Sequence, residues 1–137
     1  MIITHHGIDF FKVSFGDMTL AVNPISKDSK FKSSRFGSDI TLISLLGSPE
    51  HNGSENTSRG EKESFIISGP GEYEVSGVFI KGFATTSNYG GKQSINTIYK
   101  ITLEGMNLCF LGGMSDEKIP KEVTEEIDGI DLLFVPI

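Results

Sequence analysis

Apolar and polar residues alternate along much of this chain, and elsewhere apolar residues gather in short blocks closed by glycine, proline or asparagine. That is the signature of strands and tight turns rather than long helices. Ile2 to His6 reads as a first short strand. Phe11, Val13 and Phe15 then alternate with Lys12 and Ser14, a half-buried strand that Gly16-Asp17 turns into a second, Met18 to Val22. Asn23-Pro24 ends this hairpin, because proline cannot donate to a central ladder. Residues 25 to 38 are polar and serine-rich, with room for one helical turn. Asp39 to Leu46 is almost continuously apolar, as expected of a strand covered on both faces. A polar, turn-rich loop follows from Gly47 to Ser64.

The second half repeats the theme. Phe65 to Ile67 is a short strand and Gly69-Pro70-Gly71 a sharp turn. Glu72 to Val75 and Val78 to Phe83 form a strand pair broken at Ser76-Gly77. Beyond a glycine loop, Ile95 to Leu103 sets Ile95, Thr97, Tyr99, Ile101 and Leu103 on one face, and Gly105 returns the chain along Asn107 to Leu111. Ser115 or Asp116 is placed to cap a helix running through Ile127, with Pro120 in its first turn and Ile119, Val123 and Ile127 on one face. Asp131 to Ile137 closes the sequence as an apolar strand of central character. Strand meanders first and helix late predict an α/β (α+β) fold with a large mixed sheet.

Composition narrows this further. At 137 residues with 37% hydrophobic and 22% charged, the expectation is a single domain over 1–137 that buries a real core. The net charge of −6 argues against nucleic acid as a partner, since phosphate neutralisation needs a basic face. The one basic-leaning stretch, Lys27 to Arg35, also holds Asp28 and serines and reads as a solvated loop. Cys109 lies inside an apolar run and reads as a buried, inert thiol. No apolar run reaches membrane-spanning length and no signal peptide opens the chain, so a cytoplasmic location is expected.

Gly69-Pro70-Gly71-Glu72-Tyr73-Glu74-Val75, followed by Gly77-Val78-Phe79-Ile80, resembles a segment of the metallo-β-lactamase-fold hydrolases. Asn96-Thr97-Ile98-Tyr99, Phe110-Leu111-Gly112-Gly113 and the opening through Gly7 are similar to the same family, in the same order. The resemblance implies a sandwich of two mixed sheets with outer helices, with this chain as the N-terminal part of it, cut short at its C-terminal end. It also implies metals held at strand ends by a His-x-His-x-Asp-His signature after an apolar strand. Imidazoles and carboxylates converging at about 2.0–2.2 Å hold such cations, and a metal-bound water then loses its proton near neutrality and attacks the substrate.

This chain departs from that signature. Leu46 and Ser48 stand where the first two histidines belong, Glu50 replaces the aspartate, and only His51 is retained. Gly113 stands where the resemblance puts a bridging aspartate, and no histidine follows His51. Glu50 and His51 are thus the remaining metal candidates, too few for a catalytic zinc site, which needs three protein ligands. His5 and His6, adjacent on a strand, face opposite sides. Gly47-Ser48-Pro49 lacks the frame of a nucleophile elbow, and Gly90-Gly91-Lys92 lacks the spacing of a phosphate loop. A residual acid–base role for Glu50 and His51 would need a further partner that the sequence does not reveal.

The sequence therefore predicts a degenerate member of the fold with no catalytic or cofactor-binding residue, acting as a binding or assembly module. It is expected to pair with another copy, or with a partner supplying the missing half. The alternative is a metal-dependent hydrolase, using zinc or another divalent metal, that completes its site with a partner chain or unusual ligands. A third reading is a small-ligand binder using Tyr73, Tyr89 or nearby loops.

Overall fold

The computed structural model describes residues 1–136. Its chain divides into two compact units, Met1–Ser68 and Gly69–Ile137. Ile137, the last residue of the predicted terminal strand, lies outside the described residues.

The first unit carries a five-stranded mixed sheet in sequence order: β1 (Ile2–His5), β2 (Phe11–Phe15), β3 (Met18–Val22), β4 (Ile40–Leu42) and β5 (Phe65–Ile67). β1, β2 and β3 run antiparallel, while β4 joins β3, and β5 joins β4, in parallel. The register aligns Val13 with Leu20, Leu20 with Ile40 and Leu42 with Ile67, all buried. The opposite face packs Phe10, Ala21 and Ile25 against Ile8 and Phe36. β4 is buried throughout, as its almost continuous apolar run predicts. On it, the Thr41 hydroxyl lies within 3.0 Å of the hydroxyls of Ser38, Thr57 and Ser64, so no polar atom there is stranded.

β4 is shorter than the predicted Asp39–Leu46. Asn23, held at φ 51°, accepts the Ser44 N–H on Oδ1 at 2.7 Å and draws the chain off the ladder just beyond Ile43. Residues 25–38 form no helix, only one turn at 27–28 closed by Ser29 N–H to Ser26 O at 3.0 Å. That segment is instead laced to a 3-10 turn at Ser54–Asn56, through Phe36 N–H to Asn56 O (3.1 Å) and Asn56 Nδ2 to Ile25 O (2.9 Å).

The second unit carries another five-stranded mixed sheet, ordered β10-β9-β8-β7-β6. Its strands are β6 (Gly71–Val75), β7 (Val78–Ser87), β8 (Ser94–Leu103), β9 (Met106–Phe110) and β10 (Leu132–Phe134). Two-residue turns at Ser76-Gly77 and Glu104-Gly105 have both residues at positive φ, the geometry that matches the twist of flanking strands. β7 and β8 run ten residues each, longer on β7 than its pattern suggests. Of the predicted β8 face, Thr97, Tyr99, Ile101 and Leu103 are buried and Ile95 is exposed.

One α-helix, α1 (Lys121–Glu126), buries Val123 against Ile98, Cys109 and Leu111. It starts later than the predicted cap at Ser115 or Asp116, because those side chains are engaged elsewhere. Ser115 Oγ accepts the Asn88 N–H at 2.8 Å, and Asp116 Oδ2 accepts the Thr86 N–H at 3.3 Å. Pro120 occupies the N-cap position instead. β10 also departs from expectation. It pairs parallel to β9 but forms the sheet's edge, with Leu132 and Leu133 exposed.

Candidate functional site

The chain leaving β4 makes a tight loop over Leu45–Asn52. Ser48 anchors it: its N–H donates to Leu45 O at 3.2 Å, and its carbonyl accepts from the N–H groups of His51 and Asn52, both at 2.9 Å. Pro49 O accepts the Ser26 N–H at 2.7 Å, and Asn52 Nδ2 donates to Leu46 O at 2.7 Å. This local turn directs the His51 side chain inward, where it is fully buried.

Asp9 meets it from the connection between β1 and β2. Gly7 at φ 106° and Ile8 at φ 50° reverse the chain there, and Phe10 N–H to Gly7 O (2.8 Å) closes the turn. The left-handed conformation at Ile8 is costly for a β-branched residue and is held by this packing.

Three side chains thus form one hydrogen-bonded line. His51 Nε2 lies 2.9 Å from Asp9 Oδ2, and His51 Nδ1 lies 2.8 Å from Ser48 Oγ. A carboxylate only accepts, so Nε2 carries the proton and Nδ1 accepts from the Ser48 hydroxyl. The sequence singled out His51 and left it without a partner; the fold supplies two. Ser48 was visible as a missing histidine and as a serine without the frame of a nucleophile elbow. Asp9 was not visible at all, since 42 residues separate it from His51.

These residues do not fit a metal. Both ring nitrogens of His51 are engaged by protein groups, so no lone pair is presented outward. Glu50 is half-buried and Leu46 is exposed and apolar. Among the described residues, no group of three or more His, Cys, Asp or Glu converges as metal ligands. His5 Nε2 donates to Ile8 O (2.8 Å) and its ring stacks on Phe11, while His6 reaches Ser34 Oγ at 3.0 Å and lies among Phe10 and Phe36.

In the second unit the chain turns at Gly112-Gly113. Asn96, fully buried, holds it: Oδ1 accepts the Gly113 N–H at 2.9 Å, while Nδ2 donates to Leu111 O at 2.8 Å and Thr85 Oγ1 at 3.0 Å. Cys109 is buried, and burial pushes its thiol up to about 11, far from thiolate chemistry at neutral pH. Gly90 and Gly91 form a short turn at positive φ. Tyr73 donates its hydroxyl to Gly69 O at 3.0 Å, closing the Gly-Pro-Gly bend.

Comparison with known proteins places this geometry in a class. A family model for the Beta-lactamase superfamily domain matches residues 2–137, and the chain belongs to that family. A solved structure from Thermotoga maritima, described as a Zn-dependent hydrolase of the metallo-β-lactamase superfamily, is 27% identical with a TM-score of 0.72. It aligns with 96% of this chain, which spans 58% of that chain's length. A protein from Parabacteroides distasonis, described as a metal-dependent hydrolase, aligns at 16% identity and TM-score 0.64, covering 98% of this chain and 69% of its own. The diiron β-hydroxylase CmlA from Streptomyces venezuelae aligns at 12% identity and TM-score 0.67, covering 97% and 34%. These last two show the fold alone. Comparison with curated proteins finds no significant match. The expected α/β (α+β), metallo-β-lactamase-like fold class is the one found, as two mixed sheets with few helices.

Proposed function

We propose that this chain is a metal-free member of the superfamily that works as a binding or assembly module. The carrying observation is the closure of His51, the one histidine retained from the family signature, by Ser48 and Asp9. A metal would have to displace a buried hydrogen bond to gain a single ligand, well short of the three or four that tight sites use. Assembly is supported by the apolar rim at β10, where Leu132 and Leu133 are 39% and 46% exposed and Val135 just past the strand is 60% exposed. Single exposed apolar residues are ordinary, but a run of them on an unpaired strand edge invites another strand. The occupant is a second copy or a partner that adds a strand to this edge. A net charge of −6 disfavours nucleic acid. Among the described residues, no helix is long and apolar enough to cross a membrane, and we place the protein in the cytoplasm.

The second reading is a metal-dependent hydrolase completed by a partner, which the description of the Thermotoga relative favours. Elemental analysis separates the two, on protein purified without chelator or affinity tag and then offered zinc, manganese and iron. Substoichiometric metal in folded protein is the expected result. One metal per chain, lost in His51→Asn without loss of fold, would establish the second reading instead.

A further inference from the structure

We propose that Ser48 is a nucleophile activated by His51, giving the chain a metal-independent reactivity toward small activated acyl and phosphoryl esters. An activated serine needs a base within hydrogen-bond reach and a third group to orient that base. Both are present. Ser48 Oγ lies 2.8 Å from His51 Nδ1, and Asp9 Oδ2 lies 2.9 Å from Nε2. Asp9 is a positioning residue: by accepting the Nε2 proton it fixes the tautomer that leaves Nδ1 free of hydrogen and turned to Ser48. The base is fully buried, whereas Ser48 is half-buried and open to reagents. Its neighbour Gly47 is exposed, and a side chain added there would meet nothing within 4 Å. The ring nitrogens are used in the opposite sense from the familiar serine–histidine–aspartate arrangement, but the proton path is equivalent.

The chemistry balances with water as the only co-reactant. Ser48 Oγ bonds to the acyl carbon as its proton passes to His51 Nδ1. The bond from carbon to the leaving oxygen breaks, and that oxygen takes the proton from Nδ1. Water then attacks the acyl-serine, its proton passing by Nδ1 to Oγ as serine is released. The local amides limit the substrate class. The N–H groups of Ser48, His51 and Asn52 are all bonded within the loop, so none of them stabilises a developing oxyanion. One oxyanion-hole donor is worth about 10²–10³ in rate, which restricts the reaction to esters with good leaving groups.

The test is labelling with diisopropyl fluorophosphate, which forms the serine–phosphorus bond and releases fluoride, with the modified residue located by peptide mass mapping. Ser76, exposed in the β6–β7 turn, is the internal comparison. Ser48 is expected to react on the order of 100-fold faster than Ser76, the scale of general-base assistance. Asp9→Asn, with an unchanged circular dichroism spectrum, is expected to slow Ser48 by about tenfold or more while leaving Ser76 unaffected. Ser48→Cys offers a second readout: its thiol should be alkylated by iodoacetamide well below the pH at which an isolated thiol reacts, since the same base deprotonates it. Equal rates at Ser48 and Ser76 would overturn the proposal, as would an Asp9→Asn protein that labels like wild type. Loss of labelling on adding chelator would overturn it in favour of a metal-borne reaction. None of these readouts depends on whether the β10 edge takes a partner.

Discussion

His6 couples the first unit to pH. Its Nδ1 meets Ser34 Oγ, but its buried Nε2 has no hydrogen-bond partner among the described residues. Burial, then the nearby charges of Lys12 and His5, hold its pKa below the usual histidine value. The folded state thus binds this proton less readily than the unfolded state. Stability from His6 is full above the unfolded value near 6.5 and declines as pH falls from there toward the depressed folded value. Urea denaturation between pH 7.5 and 5 should show a falling midpoint that is flatter in His6→Phe, which keeps the ring against Phe10 and Phe36. An identical slope in both proteins would exclude His6 as the source. At this scale the sequence was readable in part. His51 stood out because its neighbours at 46, 48 and 50 departed from a known signature. Its link to Asp9 was hidden, because it depends on the left-handed turn at Gly7-Ile8 aiming a carboxylate across 42 residues.

At the scale of elements, alternation and turn chemistry carried the reading. The β2–β3 hairpin and the β8–β9 pair follow from period-two patterns joined by glycine-bearing turns. Misplacements arose where a side chain outside the element decided its end. Asn23 takes up the Ser44 amide and shortens β4, while Thr86 on β7 takes up Asp116 and Asn88 just past it takes up Ser115, which delays α1. Such side-chain competition for backbone groups leaves no periodic trace. Asn96 is the strongest instance, since three of its bonds join β7, β8 and the turn after β9. Asn96→Ala strands a buried amide and a buried carbonyl, and should lower the unfolding free energy by about 1–3 kcal/mol, read as a shift in urea midpoint without change in slope. A midpoint equal to wild type would mean that water replaces the side chain without loss.

For the molecule as a whole, the family match covers residues 2–137, and this chain spans 58% of its Thermotoga relative. The apolar run at 131–137 reads in sequence as a central strand, and the fold places β10 at an edge. The two statements agree if another strand lies beside it in the working assembly. Sedimentation at micromolar concentration should therefore give a mass above the 14.9 kDa of one chain. Leu133→Lys, which puts a charge on the exposed edge, should shift the population toward monomer. A wild-type monomer under those conditions would remove the assembly reading.

The single cysteine has a use that has nothing to do with chemistry at the site. Cys109 sits beneath α1, packed with Ile98, Leu111 and Val123, and is sealed from solvent. A disulfide reagent reaches it only when that layer opens, so its capture rate under native conditions clocks the breathing of Gly69–Ile137 alone. Set beside amide exchange in Met1–Ser68, that clock would tell whether the two units come apart in one cooperative event or in sequence.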